Sequence, residues 1–425
     1  MNLRAVATCE LPEALAFALA GGDPIGVIPD LNPEPYLQML ATSVPLEDAR
    51  TAVVVGTSGS TGAPKGVMLS VDAINYSTNA THEFLGGPGE WVCTLPAHYV
   101  AGMLTIARGI IGGCGYRFGD PDLHDLPQAS KRSYISLVPA QLHKALRSPR
   151  HVELLGGYAA ILLGGASIPP GMLEQAAEAG LNVVTTYGMA ETCGGCVYNG
   201  TPLPGVSLDF EPGTGRVLIT TPTAFLGYRL DPKRTAATLI ESGTDPARVR
   251  SRDYARDDEV GKFRDDEVSS PRHPARQSQD LRGDPDQTCA PTNNPTPTVI
   301  TNDRGHIAHG KLAIDGRMDD IVICGGENVD LAQIQRLADA RFGTGEDERV
   351  VVLAVPDDRF GTHIGAVTRS RKSAQGVDAL NSELGRAARI RDTRVLNGPI
   401  HTASGKIDRK RLLAQLWKGI NGNTQ

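Results

Sequence analysis

Short runs of β-branched and aliphatic residues, separated by stretches of helical character, recur through the first 230 residues or so of the chain. They are TAVVVG from residue 51, EWVCTLP from 90, YISLVP from 134, AAILLGG from 159 and LNVVTTYG from 181. This alternation predicts an α/β fold, with a mostly parallel sheet and flanking helices. Because ligands of such sheets bind beyond the carboxyl ends of the strands, we expect one shared crevice. The glycine-rich strand ends that should meet there are GTSGSTG, PAHYVAG, LLGGA and TYGMAET.

The glycine-rich loop GTSGSTGAPKG, residues 56 to 66, follows the first of these runs. Its glycines let backbone N–H groups approach an oxyanion closely, and its hydroxyls and lysine add donors, so it suits phosphate. The P-loop pattern GxxxxGK[ST] is not matched, because Ala63 and Pro64 follow Gly62 and Gly66 follows Lys65. A flexible turn after a strand is the alternative interpretation.

Composition fits a globular protein of two or more domains, with 425 residues, 40% hydrophobic and 21% charged, and a net charge of -6. The mild acidity and the lack of a Lys/Arg stripe argue against nucleic acid as a partner. Seven scattered cysteines make no even disulfide set and favour a reducing cytoplasm. No apolar run is long enough to predict a membrane span, and LPEALAFALAGG predicts an amphipathic first helix rather than a signal peptide.

Residues 231 to 299 differ in composition from the rest of the chain. They contain 24 charged residues and eight prolines but only nine of Leu, Ile, Val, Phe and Tyr together. So little apolar surface does not offset the entropy of ordering the chain, which predicts a largely disordered insertion. A linker between two domains is the alternative. The tail from residue 318, with VVVLAV at 350, a helical run DALNSELGRAARI and a basic end GKIDRKRLL, predicts a small α+β domain.

A series of further motifs follows the glycine-rich loop. It comprises TYGMAET at 186–192, GY at 227–228, TND at 301–303, GRMDDIVICGGENV at 316–329 and GKIDR at 405–409. The series resembles the adenylate-forming superfamily of acyl-CoA synthetases, peptide-synthetase adenylation domains and luciferases. This resemblance implies a large N-terminal domain of mixed or parallel sheets, residues 1 to 317, and a small mobile C-terminal domain, residues 318 to 425. It also implies a reaction in which a carboxylate and ATP form an acyl-adenylate and pyrophosphate, after which the acyl group passes to coenzyme A.

The resemblance assigns a nucleotide site residue by residue. The donors expected around the β- and γ-phosphates are Thr57, Ser58, Gly59, Ser60, Thr61, Gly62 and Lys65. Glu191 would hold Mg²⁺, a hard cation that prefers oxygen ligands. Tyr187 would stack on the adenine beside Gly188, and Thr192 would donate its hydroxyl to the α-phosphate.

Later motifs supply the ribose contacts and the moving parts. Asp303 and Arg317 would bind the ribose, because a carboxylate accepts from both O–H groups of a cis-diol. Asp319 would be the hinge between the domains, and Gly326 would line the pantetheine tunnel after the small domain rotates. Lys406 would bridge the attacking carboxylate and the α-phosphate in the first step. The expected catalytic residues are thus Lys65, Glu191, Thr192 and Lys406.

Within the superfamily, longer blocks resemble shortened members of the family of 2-succinylbenzoate-CoA ligases of menaquinone (vitamin K2) biosynthesis. These blocks are GGPGEW at 86–91, SLVPAQLHKAL at 136–146, LLGGASIPP at 162–170 and TYGMAETCGGCVYNGTPLPGV at 186–206. The implied substrate is an aromatic dicarboxylate whose second carboxylate stays ionised and needs a partner if buried. Arg108, in the helix predicted from LTIARGI, is the expected partner, and a structural surface ion pair is the alternative.

Small residues should wall the acyl pocket. The expected substrate-binding residues are His98, Arg108, Gly164, Gly165, Gly188 and Gly194. The superfamily commonly has PxxHxxG where this chain has PAHYVAG, so Tyr99 stands at the usual histidine position and His98 precedes it. Cys193 and Cys196 form a single CxxC pair, which we interpret as small pocket residues rather than a zinc or redox site.

Three other functions compete with this interpretation. An amino-acid-activating adenylation domain would need an acidic residue for the substrate ammonium, commonly in FDxS where PAHYVAG stands, and none is there. Another aryl- or acyl-CoA ligase fits the same nucleotide motifs. A non-catalytic homologue acting as a binding module is opposed by Lys65, Glu191, Arg317 and Lys406. The resemblance is also compatible with a homodimer.

Overall fold

The computed structural model is built from helices packed on several β-sheets. It describes residues 3–58, 64–130, 132–169, 171–241, 296–324, 326–357, 361–402 and 407–421. The helices in these ranges are α1 (Leu11–Leu19), α2 (Glu34–Leu40), α3 (Val71–Phe84), α4 (Val100–Ile111), α5 (Pro139–Leu146), α6 (Pro149–Gly156), α7 (Met172–Glu178), α8 (Pro232–Thr238), α9 (Leu331–Phe342), α10 (Arg371–Asn381) and α11 (Arg409–Asn421). None of these described helices is long and apolar enough to cross a bilayer.

The strands fall into one group before residue 241 and one group after residue 297. The first group is β1 (Arg4–Ala7), β2 (Ile25–Ile28), β3 (Thr51–Ser58), β4 (Pro64–Ser70), β5 (Glu90–Cys93), β6 (Tyr116–Phe118), β7 (Ser133–Leu137), β8 (Ala160–Leu163), β9 (Val183–Met189), β10 (Gly194–Tyr198), β11 (Thr201–Pro202), β12 (Ser207–Phe210), β13 (Arg216–Thr220), β14 (Gly227–Tyr228) and β15 (Leu239–Ile240). The second group is β16 (Thr298–Ala308), β17 (Lys311–Arg317), β18 (Ile321–Cys324), β19 (Glu327–Asp330), β20 (Val350–Asp357), β21 (Gly361–Thr368) and β22 (Ile390–Val395).

Two mixed sheets form the body of the large N-terminal region. The first has the order β1-β2-β3-β4-β14, parallel from β1 to β3 and antiparallel at β4 and β14. The second has the order β11-β10-β9-β8-β7-β5-β6, parallel from β6 to β9 and antiparallel at β10 and β11. The largest core cluster joins α1, α3 and α4 to β3 and β4. This arrangement confirms the predicted α/β class, and each of the five apolar runs contains a strand.

A third sheet carries the later motifs. Its order is β12-β13-β16-β15, β17 pairs with the other part of β16, and all of its pairs are antiparallel. The register of β16 and β17 places Asp303 opposite Arg317. The sheet therefore brings together two residues that are 14 positions apart in sequence.

The C-terminal residues form a hairpin, β18 with β19, and a three-stranded sheet with the order β20-β21-β22. Side chains of β20 are buried alternately on its two faces. Val350 and Val352 pack with α9 and α10, whereas Val351 and Leu353 pack with α11. The sequence VVVLAV is continuously apolar because helices cover this strand on both sides.

One predicted helix is misplaced. The helical run DALNSELGRAARI was expected to be one helix, but α10 includes only its first four residues and ends at Asn381. The Asn381 side chain donates to the carbonyl of Ile390 and accepts from its N–H, both at 2.8 Å, which ties the helix end to β22. The helix begins earlier, where the Ser370 hydroxyl caps it by accepting from the N–H of Ser373 at 3.1 Å.

The prediction of a largely disordered segment over residues 231–299 is wrong at both of its ends, which contain α8, β15 and the first two residues of β16. The Asp231 side chain caps α8 by accepting from the N–H of Arg234 at 2.9 Å. Immediately after α8, β15 pairs with β16, so Leu239 and Ile240 lie opposite Val299 and Thr298. Pairing to a neighbouring strand stabilises these residues despite their polar composition. Residues 242–295 lie outside the described part of the chain.

Candidate active site

The glycine-rich loop joins β3 and β4, which form an antiparallel hairpin. At the loop end of the hairpin, Thr57 pairs with Lys65 and Ser58 pairs with Pro64. Thr57, Ser58 and Lys65 are therefore neighbours, and their contact with phosphate stays a prediction. The loop residues Gly59, Ser60, Thr61 and Gly62 lie outside the described residues.

The Lys65 ammonium lies in a partly buried setting with charges of both signs around it. Burial lowers the pKa of Lys65, and the positive charges of Arg234 and Arg317 lower it further, whereas the carboxylates of Glu191 and Asp231 oppose them. An ammonium group is a charged donor that suits phosphate oxygens.

Glu191 stands in a short 3₁₀ helix, Ala190–Thr192, directly after β9. Its Oε1 accepts a hydrogen bond of 2.5 Å from the Tyr228 hydroxyl, and its carbonyl accepts from the N–H of Phe225 at 2.9 Å. One carboxylate with substrate phosphates and water is a usual ligand set for Mg²⁺. No group of three or more His, Cys, Asp or Glu able to hold a metal occurs in the described ranges. The single carboxylate of Glu191 matches the protein part of such a ligand set.

The Thr192 hydroxyl is engaged by the backbone turn after β9. The residue is 0% exposed, and its hydroxyl lies 2.8 Å from the carbonyl of Gly194 and 2.9 Å from the N–H of Met189. The expected donation of this hydroxyl to an α-phosphate stays a prediction, and it would require these hydrogen bonds to rearrange.

Asp303 is the centre of a small polar cluster. Its Oδ2 accepts from the Tyr187 hydroxyl at 2.8 Å, and its Oδ1 lies 3.3 Å from Nη1 of Arg317. Arg317 in turn donates from Nε to Asp319 at 2.8 Å. Burial raises the pKa of Asp303, although the Tyr187 hydrogen bond and the Arg317 charge work in the opposite direction. The structure thus brings together three residues that were predicted to bind the nucleoside, with the predicted hinge residue beside them.

Glycines allow the strand ends around the acyl pocket to approach one another. A Cβ on Gly164 would lie 2.2 Å from Oγ1 of Thr186, and one on Gly188 would lie 2.1 Å from the carbonyl oxygen of Gly194. Gly194 itself has a φ of +87° and faces Leu104 of α4. A side chain at Gly164 or Gly188 would therefore collide with neighbouring backbone, and one at Gly194 would collide with the Leu104 side chain and require an unfavourable positive φ. Gly165 has a positive φ as well, at +81°.

Arg108 is buried in the last turn of α4, with 4% of its surface exposed. Its guanidinium carbon lies 5.0 Å from the centroid of the Trp91 ring, and Nη2 lies 3.4 Å from the hydroxyl of Tyr198. Nε has no hydrogen-bond partner, and no carboxylate pairs with this side chain among the described residues. Arg108 is therefore not in a surface ion pair, which was the alternative interpretation of its charge.

His98 and Tyr99 lie against the N-terminal helix α2. The Tyr36 ring of α2 contacts His98 edge-on at 5.5 Å, and its hydroxyl lies 3.4 Å from that of Tyr99. The same ring covers Gly56, where an added Cβ would lie 2.4 Å from a ring carbon. Burial lowers the pKa of His98. Tyr36 thus links the PAHYVAG segment to the strand that leads into the glycine-rich loop.

The two thiols of the CxxC pair lie in different core clusters. Cys193 packs with the cluster around α4, and Cys196 packs beneath the third sheet. Burial raises the pKa of each thiol to about 12. Both side chains are core residues rather than the expected lining of an open pocket.

Gly326 and Lys406 were both expected to act from the small C-terminal domain, which would rotate between the two steps of the reaction. Gly326 forms the exposed turn between β18 and β19, with a φ of +88° and no atom within 4 Å of an added Cβ. Lys406 lies outside the described residues.

Sequence reasoning gave no role to Tyr36 or Tyr228. The dipeptide GY was part of the motif series, but it does not reveal that the Tyr228 hydroxyl meets Glu191, 37 positions away. No sequence pattern around Tyr36 indicated its contact with Tyr99, because the two residues are 63 positions apart.

Comparison with known proteins agrees with this geometry. A family described as AMP-binding enzyme matches residues 16–226. A probable 2-succinylbenzoate-CoA ligase of Mycobacterium tuberculosis (strain H37Rv) is 42% identical over 237 residues, covering 52% of this chain and 60% of its own length. The chain thus matches less than two thirds of that relative. The 2-succinylbenzoate-CoA ligase of Enterococcus faecalis is 25% identical over 383 residues, 86% of this chain and 69% of the relative.

Solved structures show the same fold. A variant of E. coli MenE with bound OSB-AMS has a TM-score of 0.65 at 20% identity and covers 98% of this chain and 87% of its own. ATP-bound MatB from Rhodopseudomonas palustris has a TM-score of 0.62 at 19% identity and covers 99% and 80%. These likenesses show that the chain shares the fold of these two proteins. The match to the AMP-binding enzyme family at residues 16–226 covers just under half of this chain.

Proposed function

We propose that the chain is an AMP-forming acid-thiol ligase that joins 2-succinylbenzoate to coenzyme A. In the first step a carboxylate oxygen attacks the α-phosphorus of ATP, and pyrophosphate leaves with the electron pair of the broken P–O bond. In the second step the thiol sulfur attacks the acyl carbon, its proton is lost, and AMP leaves. The observation that carries the proposal is the cluster at Asp303, whose carboxylate accepts from the Tyr187 hydroxyl at 2.8 Å and lies 3.3 Å from Nη1 of Arg317. This cluster joins residues of three distant motifs and supports a nucleoside site at Asp303.

The nucleoside end of ATP would bind at Asp303. Tyr187 and Arg317 already orient this carboxylate, so it needs little reorganisation to accept hydrogen bonds from the two ribose hydroxyls. The Tyr187 ring, fixed by its own hydrogen bond to Asp303, would stack on the adenine beside Gly188. The buried position of Asp303 strengthens these interactions because little water competes for the carboxylate.

The phosphates would lie over the hairpin of β3 and β4. Thr57, Ser58 and Lys65 would donate to them, together with the loop residues that follow Ser58. Glu191 would hold Mg²⁺, which when bound supplies positive charge next to the phosphates. The Lys65 ammonium would stabilise the charge that develops on the leaving pyrophosphate.

Lys406 would supply a positive charge between the two anions that react in the first step, the substrate carboxylate and the α-phosphate. We propose that its ammonium bridges the attacking carboxylate and the α-phosphate, and that rotation at Asp319 then withdraws it. The same rotation would bring Gly326 and its hairpin to the pantetheine arm of coenzyme A. An exposed turn with small residues suits such an approach.

Arg108 would recognise the second carboxylate of the acid. Its buried guanidinium has a free Nε and no acidic partner among the described residues, and burying a charge without a partner is costly. A carboxylate that entered from the side of Gly194 would supply the missing acceptor. Specificity for a diacid over a simple aromatic acid would follow.

Pyrophosphate release with ATP, Mg²⁺ and a panel of acids tests the proposal. The expected result is strong release with 2-succinylbenzoate and weak release with benzoate and fatty acids. Preference for another aromatic or acyl substrate would identify a different CoA ligase, such as the indoleacetate-CoA ligase of Aromatoleum aromaticum, which is 25% identical over 399 residues. If no acid gave pyrophosphate release, the result would favour a non-catalytic binding module.

Three further statements depend on this reaction. We place it in menaquinone biosynthesis because the relatives named above are described as 2-succinylbenzoate-CoA ligases. We place it in the cytoplasm because the six cysteines in the described ranges are free thiols. A homodimer is the proposed assembly, and the molecular mass in solution tests it.

A further inference from the structure

Strand β14 places a tyrosine hydroxyl inside the candidate active site. β14 is antiparallel to β4, with Tyr228 opposite Val67, so it lies beside the strand that begins at Pro64 and Lys65. From this edge the Tyr228 side chain reaches across to Glu191, and its hydroxyl donates to Oε1 at 2.5 Å. The contact joins the strand behind the phosphate loop to the carboxylate that would hold Mg²⁺.

Contacts on several sides fix the Tyr228 side chain. The residue is 6% exposed, and its ring packs edge-on against Phe225 at 4.9 Å. The guanidinium carbon of Arg234 lies 5.9 Å from the ring centroid. Its backbone N–H donates to Oγ1 of Thr235 at 2.8 Å. The tyrosine is thus held in place by α8 and the core, independently of Glu191.

The Glu191 carboxylate is held at one of its two oxygens. The Tyr228 hydroxyl binds Oε1, and Oε2 has no hydrogen-bond partner among the described residues. A carboxylate free to rotate would present neither oxygen in a fixed direction. The Tyr228 hydroxyl opposes that rotation and leaves Oε2 available to a cation.

We propose that Tyr228 is a positioning residue that fixes the orientation of the Glu191 carboxylate, with one oxygen presented to the cation of the magnesium nucleotide. This inference deepens the proposed function and rests on it. Tyr228 itself touches neither cation nor nucleotide. Its loss would therefore weaken cation binding rather than abolish the reaction, as is usual for residues that orient a metal ligand.

Two matched substitutions test the proposal. Tyr228→Phe removes the hydroxyl from Glu191, and Tyr187→Phe removes an equivalent hydroxyl from Asp303 at the other end of the nucleotide. We expect Tyr228→Phe to raise the half-saturating Mg²⁺ concentration for pyrophosphate exchange by roughly tenfold, with kcat at saturating Mg²⁺ changed little. Tyr187→Phe should raise the KM for ATP and leave the Mg²⁺ requirement as in the wild type.

A binding measurement separates this proposal from the reaction itself. Mn²⁺ is titrated into protein and ATP without any acid, and free Mn²⁺ is followed by electron paramagnetic resonance. Weaker Mn²⁺ binding in Tyr228→Phe than in the wild type supports the proposal. The double variant Glu191→Gln/Tyr228→Phe should then bind Mn²⁺ as weakly as Glu191→Gln alone, because Tyr228 acts through Glu191. Wild-type binding in Tyr228→Phe, or an equal loss in Tyr187→Phe, overturns it. A wild-type protein that binds no Mn²⁺ with ATP overturns the nucleotide site and the proposed function as well.

Thermal unfolding of each variant without ligand shows whether the fold is retained. Tyr228→Phe keeps the ring contacts with Phe225 and Arg234, so we expect its Tm to stay near that of the wild type. A lowered Tm accompanied by equal losses of Mn²⁺ and ATP binding would mean that Tyr228 supports only the core, which contradicts the proposal.

Discussion

The hydroxyl of Tyr187 donates to Oδ2 of Asp303 at 2.8 Å, and this contact fixes a carboxylate that burial makes harder to ionise. Because the pKa of Asp303 in the folded protein lies above its unfolded value, protonation of Asp303 favours folding. This contribution is complete below the unfolded pKa and is lost as pH rises through the folded pKa. At neutral pH the ionised carboxylate therefore reduces the stability of the ligand-free protein.

Asp303→Asn should consequently stabilise the ligand-free protein and weaken ATP binding. We expect a rise in Tm of about 2 °C at pH 8, which shrinks as pH falls and wild-type Asp303 becomes protonated. The KM for ATP should rise roughly tenfold, since the amide can accept at only one atom. Asp209→Asn, at an exposed position of β12 in the same sheet, is the control. A lower Tm in Asp303→Asn would contradict the role of burial.

Lys406→Ala should separate the two half-reactions. Loss of one oriented charge donor should lower adenylate formation by roughly 10² to 10³. Thioester formation from preformed acyl-adenylate should survive, because the second step does not need this ammonium. Lys410→Ala, at an exposed position of the same basic stretch, is the matched control. Equal losses in both half-reactions would show that Lys406 does not have the proposed role.

Arg108→Lys should discriminate between the diacid and simple aromatic acids. We expect kcat/KM for 2-succinylbenzoate to fall roughly 30-fold or more, as for loss of a charge-assisted hydrogen bond, with little change for an aromatic monoacid. Trp91→Phe disturbs the packing around the same guanidinium and keeps its charge, so it should affect both acids alike. If Arg108→Lys lowered kcat/KM equally for the diacid and the monoacid, Arg108 would have only a structural role in the core.

Thr192→Val should destabilise the protein, because the buried hydroxyl satisfies the turn after β9. The loss of its hydrogen bonds with Met189 and Gly194 should cost roughly 1–3 kcal/mol in urea unfolding. Thr192→Ser keeps the hydroxyl and should lose much less. If Thr192→Val kept wild-type stability and lost adenylation, the hydroxyl would have to reach the phosphate after all.

The sequence predicted elements whose evidence is local. Runs such as TAVVVG and AAILLGG are strands because continuous apolar stretches are buried on both faces of a covered sheet. These strand predictions depend on patterns that are contained in a few consecutive residues. The grouping of Asp303 with Arg317 was expected instead from the resemblance of the whole motif series to a known superfamily.

What escaped prediction depends on contacts between distant residues. The pairing of Tyr228 with Glu191 requires β14 to lie beside β4, which no local pattern encodes. The inward turn of Thr192 follows from φ values of 48° and 87° at Cys193 and Gly194, which close the turn onto its hydroxyl. Composition likewise predicted disorder from residue 231, because it does not detect that β16 offers a free edge to β15.

Two deletions would define the folded part of the insertion. Leu239 and Ile240 lie opposite Val299 and Thr298 in an antiparallel pair. The residues that follow Ile240 and precede Thr298 therefore start close enough together for a short turn to join them. Replacing residues 242–295 with about four Gly/Ser residues should therefore leave Tm and pyrophosphate exchange near wild type. Removing residues 231–297 also deletes α8, whose Thr235 holds the Tyr228 backbone, and should lower both. Equal behaviour of the two deletions would show that α8 and β15 contribute nothing to the site.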